Sequence, residues 1–130
     1  MVASQCYISR RGFTLIEILI VMALVALLLT IAVPRFFGSL EKSRETALRE
    51  DLKVMRIALD KYYADKGHYP ESLDKLVEDK YLRAVPIDPI TESSGTWVTV
   101  TSTDEVINGI SDVKSGAPGA ANDGTPFGSF

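Results

Sequence analysis

The chain has little of what most enzymes and most small exported domains are built on. Its 130 residues include one cysteine, one histidine and one tryptophan. Cys6 stands alone near the N-terminus, so there is no second thiol for an intramolecular disulfide. Small domains outside the cytoplasm commonly depend on such staples, and here a long helix or a bound metal must compensate. With a single histidine there is no Ser/His/Asp set at a workable spacing. There is also no thiol nucleophile beyond the first dozen residues and no phosphate-binding glycine loop, so nothing supports catalysis. Positive charge is short as well. Fourteen Lys and Arg face seventeen Asp and Glu, a net charge of −3, which leaves no basic face to neutralise nucleic-acid phosphates.

What the chain does have is an uninterrupted apolar run. Phe13–Val33 make 21 residues whose only charge is Glu17. At about 1.5 Å per residue such a helix crosses a hydrocarbon core of about 30 Å. A secretory h-region would be shorter and would end at a small-residue cleavage site, which is not seen here. Arg10 and Arg11 precede the run and hold its N-terminal side in the cytoplasm, placing residues 35–130 across the membrane. A charged side chain at the centre of a spanning helix costs roughly 2.5–3.5 kcal/mol, so Glu17 needs a partner. The next basic residue after it is Arg35.

Four regions follow: a polar leader over 1–12, a membrane segment over 13–34, an amphipathic continuation over 35–65, and a small α+β region over 66–130. Leu48, Leu52, Met55, Leu59 and Tyr62 recur at helical spacing, giving one apolar face for packing against the chain's own sheet. Glu45 and Arg49 form an i,i+4 pair on a polar side. The pattern predicts one helix from about Phe13 to about Asp65, roughly 80 Å long. Pro34 kinks or loosens it, and Gly67 stops it. A short helix over 71–79 follows, with Leu73, Leu76 and Val77 inward. Val85–Pro89 is extended because each proline disfavours helix at the residue before it. Thr96–Thr101 is β-branched and reads as a strand. A second strand is expected over 106–107 and 110–114, interrupted at Asn108-Gly109. Residues 115–130 read as a loop with little capacity for a core of its own. Trp97 is assigned to the core and His68 to a turn. The fold class is therefore α+β: a long N-terminal helix packed on a small antiparallel sheet.

These residues resemble the type IV pilin superfamily, and within it the major pseudopilin of type II (general) secretion systems. The resemblance rests on Arg11-Gly12-Phe13-Thr14-Leu15-Ile16-Glu17 ahead of a spanning helix, and on Pro34 near the membrane exit. Leu59-Asp60-Lys61-Tyr62-Tyr63 with Gly67-His68-Tyr69-Pro70, and Leu82–Pro89, add to it. It implies a pilin-like fold and a structural role. A prepilin peptidase would cut between Gly12 and Phe13 and methylate the new amino group of Phe13. Loss of residues 1–12 would remove two arginines and leave 12 basic against 17 acidic groups, or −5.

The subunit would wait in the inner membrane as a single-pass protein with its C-terminal region in the periplasm. From there a platform protein and an assembly ATPase would draw it into a helical filament of identical copies, together with minor pseudopilins. Within the filament Glu17 would meet the Phe13 amine of a neighbouring copy. Gly12 would let the peptidase approach the backbone, with an ordinary flexible hinge as the minor alternative. Pro34 is either a boundary marker or the point at which the helix stretches. Phe36 and Phe37 either pack between copies or anchor at the interface.

The resemblance also implies calcium bound by the C-terminal loop, with Asp123, Asp112 and Ser115 as the candidate ligands. Two alternatives stand beside the secretion pseudopilin. One is a type IV or competence-type pilin forming a surface fibre for adhesion, motility or DNA uptake; the other is a monomeric, signal-anchored binding module.

Overall fold

A computed structural model describes residues 2–4 and 8–130. Part of the polar N-terminal stretch, including Cys6, lies outside the described residues. The chain divides into two compact units, one ending at Gly38 and one spanning Ser39–Phe130.

In the first unit residues 8–14 form no regular element, and helix α1 begins at Leu15 and continues to Lys66, 52 residues in all. Pro34 lies inside α1 without ending it. Because proline has no amide hydrogen, the Thr30 carbonyl loses its ladder donor. Every residue from Phe13 to Val33 is exposed in the single chain. This part of α1 is long and apolar enough to cross a membrane.

The second unit is built on the amphipathic half of α1. Leu48, Leu52, Met55, Leu59 and Tyr62, the five positions expected on the inner face, are all buried, and Ala58 joins them. α1 stops at Gly67, whose φ of 76° is left-handed and whose amide donates to the Tyr63 carbonyl at 2.8 Å, a common helix terminus. Helix α2 spans Leu73–Glu78, capped by Ser72, whose Oγ accepts from the Lys75 amide at 3.2 Å; it buries Leu76.

Strands β1 (Trp97–Thr101) and β2 (Ile110–Ser115) pair antiparallel, with Trp97 opposite Ser115, Thr99 opposite Val113, and a bulge between Val100 and Thr101. Trp97 is buried and donates its indole N–H to the Pro86 carbonyl at 2.8 Å. His68 is exposed at the turn, as expected.

Two expectations need correction. Residues 106–107 are bends, not a strand. Asp104 takes the Val106 amide at 3.0 Å through its side chain, which competes with ladder formation. Gly109, at φ 118°, passes so close to the Tyr69 carbonyl that no side chain fits, so the strand begins only after it.

The segment after Ser115 is more than a loop. Ala117, Ala121 and Phe127 are buried in the same core as α1 and β2. Local turns hold it: Ala121 N–H to Thr125 O at 2.8 Å, and Phe127 N–H to Gly119 O at 3.2 Å. A 3₁₀ turn, Phe127–Ser129, then lies at the chain's end.

Candidate functional site

The junction at the head of α1 is the first place where the sequence concentrates unusual chemistry. Gly12 and Phe13 are both exposed and precede the helix, so the bond between them is accessible. Thr14 and Glu17 form a reciprocal pair. The Glu17 amide donates to Thr14 Oγ1 at 3.2 Å, and the Thr14 amide donates to Glu17 Oε2 at 3.4 Å. This is a capping box, which satisfies two otherwise orphaned donors of the first helical turn. The Thr-x-x-Glu spacing announces it, yet a carboxylate in an apolar run draws attention to lipid first. Glu17 also sits where the helix dipole favours negative charge.

Among the described residues Glu17 Oε1 has no hydrogen-bond partner, so half of the carboxylate stays available. Its position puts it one turn from any amine that cutting after Gly12 would expose. Pro34 lies 17 residues further along the same helix, and Phe36 and Phe37 meet edge-to-face just beyond it, both exposed.

The three expected calcium ligands lie in the Ser39–Phe130 unit and do not share a site. Asp112, on β2, accepts at Oδ1 from Arg56 Nε–H at 2.8 Å. Ser115 is buried and turns away, donating its hydroxyl to Asp88 Oδ2 at 2.7 Å and accepting from the Ala117 amide at 3.1 Å. Asp123 is exposed, accepts from the Thr125 amide at 2.9 Å, and has Arg49 Nη2 at 3.9 Å. The Thr125 backbone and side-chain hydrogen bonds, followed by the Arg49 charge, hold the Asp123 carboxyl below its usual range. Among the described residues no three Asp, Glu, His or Cys side chains converge on one point. Calcium takes six to eight oxygens, and here the Asp112, Ser115 and Asp123 oxygens are paired with Arg56, Asp88 and Thr125.

Two residues that sequence reasoning passed over organise this region. Asp88 is fully buried and accepts from the Ile90 amide (2.8 Å), the Thr91 amide (3.3 Å) and the Ser115 hydroxyl. It thereby closes the turn that its own amide seals onto the Ser93 carbonyl at 3.0 Å. Its flanking prolines mark an extended stretch but say nothing of where the carboxylate goes. Arg56 is the other, and joins α1 to β2 and to Phe130.

Comparison with known proteins bears on the junction and on the whole chain. Residues 8–33 match the prokaryotic N-terminal methylation motif. The type II secretion system core protein G of Escherichia coli (strain K12) is 32% identical, the match covering 62% of this chain and 67% of that protein. The same protein of Klebsiella pneumoniae is 33% identical, covering 62% of this chain and 69% of its own length. Fimbrial protein EcpC of Eikenella corrodens is 29% identical over 89% of this chain and 78% of that protein. No solved structure matches significantly. With the leader pattern, the apolar helix and the small α+β unit all in place, the chain belongs to the type II secretion system core protein G family and is a pseudopilin subunit.

Proposed function

We propose that this subunit is made as a precursor, cut between Gly12 and Phe13, methylated on the new Phe13 amine, and polymerised into a periplasmic filament that drives protein export across the outer membrane. Its role is structural, not enzymatic. Arg10 and Arg11 keep the leader in the cytoplasm, where a prepilin peptidase reaches it, and the Ser39–Phe130 unit lies in the periplasm. Assembly draws on an inner-membrane platform protein, an ATPase and minor pseudopilins.

The observation that carries this reading is Glu17. It is the only charge in the wholly exposed apolar stretch from Phe13 to Val33, one turn from the Gly12–Phe13 bond. In a bundle of parallel, staggered helices its free oxygen accepts from the Phe13 amine of an adjacent copy, fixing register as buried polar groups do in coiled coils. Pro34, which leaves one carbonyl without a donor, is where α1 lengthens as copies pack.

The capping box supplies a competing, purely local role for Glu17, and two substitutions separate the roles. Glu17→Gln keeps a capping oxygen and loses the charge, whereas Glu17→Ala loses both. If the charge sets assembly, both variants insert and are cleaved, and both give few filaments by electron microscopy and weak crosslinked ladders. Normal filaments from Glu17→Gln would reduce Glu17 to a helix cap.

The match to a fimbrial protein over 89% of the chain supports a second reading, a surface fibre. Fibres on intact cells together with a neighbouring retraction ATPase would favour it; a neighbouring outer-membrane secretin with secretion genes favours export.

A further inference from the structure

We propose that two arginines of α1, Arg56 and Arg49, are the cations that close the C-terminal segment onto the helix, so that the Ser39–Phe130 unit holds its tail without a divalent metal. Arg56 gathers one side-chain carboxylate and two main-chain oxygens: Asp112 Oδ1 at 2.8 Å from Nε, with Val113 O at 3.0 Å and Phe130 O at 2.7 Å from Nη2. These are the oxygen types a hard cation collects. Here a planar guanidinium with five fixed donors collects them from two different segments.

Arg49 stands seven residues earlier on the same face of α1. Its guanidinium carbon lies 4.1 Å from the centre of the Phe130 ring, and Nη2 lies 3.2 Å from Glu45 and 3.9 Å from Asp123. Glu45 also accepts from the Asn122 amide at 3.5 Å. A lone exposed ion pair adds little. What distinguishes this pair of arginines is that α1, β2, the 122–125 turn and Phe130 all meet on them, with the buried side chain of Leu52 between the two. The inference stands apart from the assembly role of Glu17, since every residue in it lies in the second unit.

The test uses the full chain in detergent micelles, melted in excess calcium and again in chelator, followed by Trp97 fluorescence. The two melting curves of the unaltered protein should superimpose. Calcium at a hundred times a real site's dissociation constant would raise Tm by roughly 10 °C or more, and such a rise overturns the proposal. Hydrogen exchange on Arg56→Ala in metal-free buffer gives the second readout. Protection of the Ala121, Gly124 and Phe127 amides should be lost while that of residues 48–62 persists. Arg56→Lys, a point charge without the fork, should recover only part of it. A tail that stays protected in Arg56→Ala refutes the proposal. Should that variant fail to fold, the calcium comparison on the unaltered protein decides alone.

Discussion

Replacing Asp88 tests whether a buried carboxylate holds the region between α2 and β1. Asp88 has no exposed surface and accepts three hydrogen bonds, two of them short, from the Ile90 amide at 2.8 Å and the Ser115 hydroxyl at 2.7 Å. Hydrogen bonds to a charged group contribute about 1.5–3 kcal/mol each, and Asp88→Ala removes both strong ones and strands their donors. The gain from no longer burying a charge offsets part of this, so the expected net loss is about 3 kcal/mol. For a domain of about 60–100 residues that lowers Tm by roughly 12–24 °C.

Asp88→Asn should cost only about 1 kcal/mol. It keeps an oxygen for the Ile90 and Thr91 amides, and the Ser115 hydroxyl reverses to accept from the new NH₂ group. Urea unfolding in micelles, read by the single tryptophan, measures both, because the Trp97 indole donates to Pro86 two residues before Asp88. If Asp88→Ala loses less than about 1 kcal/mol, the hydrogen-bond reasoning is wrong. If Asn proves as costly as Ala, charge rather than oxygen acceptors holds the turn.

Asp51 offers a pH test. Desolvation, then the charges of Asp88 and Glu50, raise its pKa above 3.8. The folded state therefore binds its proton more tightly than the unfolded chain, and stability falls as pH rises from about 3.8 through the raised native value. Asp51→Asn removes that loss. Its Tm should exceed the parent's at neutral pH and converge on it below pH 3.8; a variant no more stable at pH 7 would contradict the assignment. Phe127→Ala tests the tail's place in the core. Truncating a buried phenylalanine costs about 3–5 kcal/mol, readable as a urea midpoint shift, whereas a solvated loop residue would change almost nothing.

How much of this was legible in the sequence varies by element, for physical reasons. The inner face of α1 was fully legible, because five apolar residues at helical spacing can only serve one buried stripe. The junction was legible for a different reason. A single charge in an apolar run is anomalous by energy alone, whatever its neighbours do. The tail was not legible: Ala117, Ala121 and Phe127 are spaced by Gly, Pro and Asp and have no period, so nothing local separates a packed strap from a loop.

Arg56 was hidden more deeply, since an arginine on the flank of a helix reads as solvated until residues 112, 113 and 130 are brought to it. The same non-locality explains the scattered calcium candidates. Asp112, Ser115 and Asp123 are the kinds of oxygen calcium takes, but a ligand set depends on which cations and donors neighbouring elements deliver. Here α1 delivers two guanidinium groups and the Pro86–Pro89 stretch delivers a carboxylate. Each candidate side chain contacts one of them. Charge on a helix flank thus decides where the oxygens of a distant loop are directed.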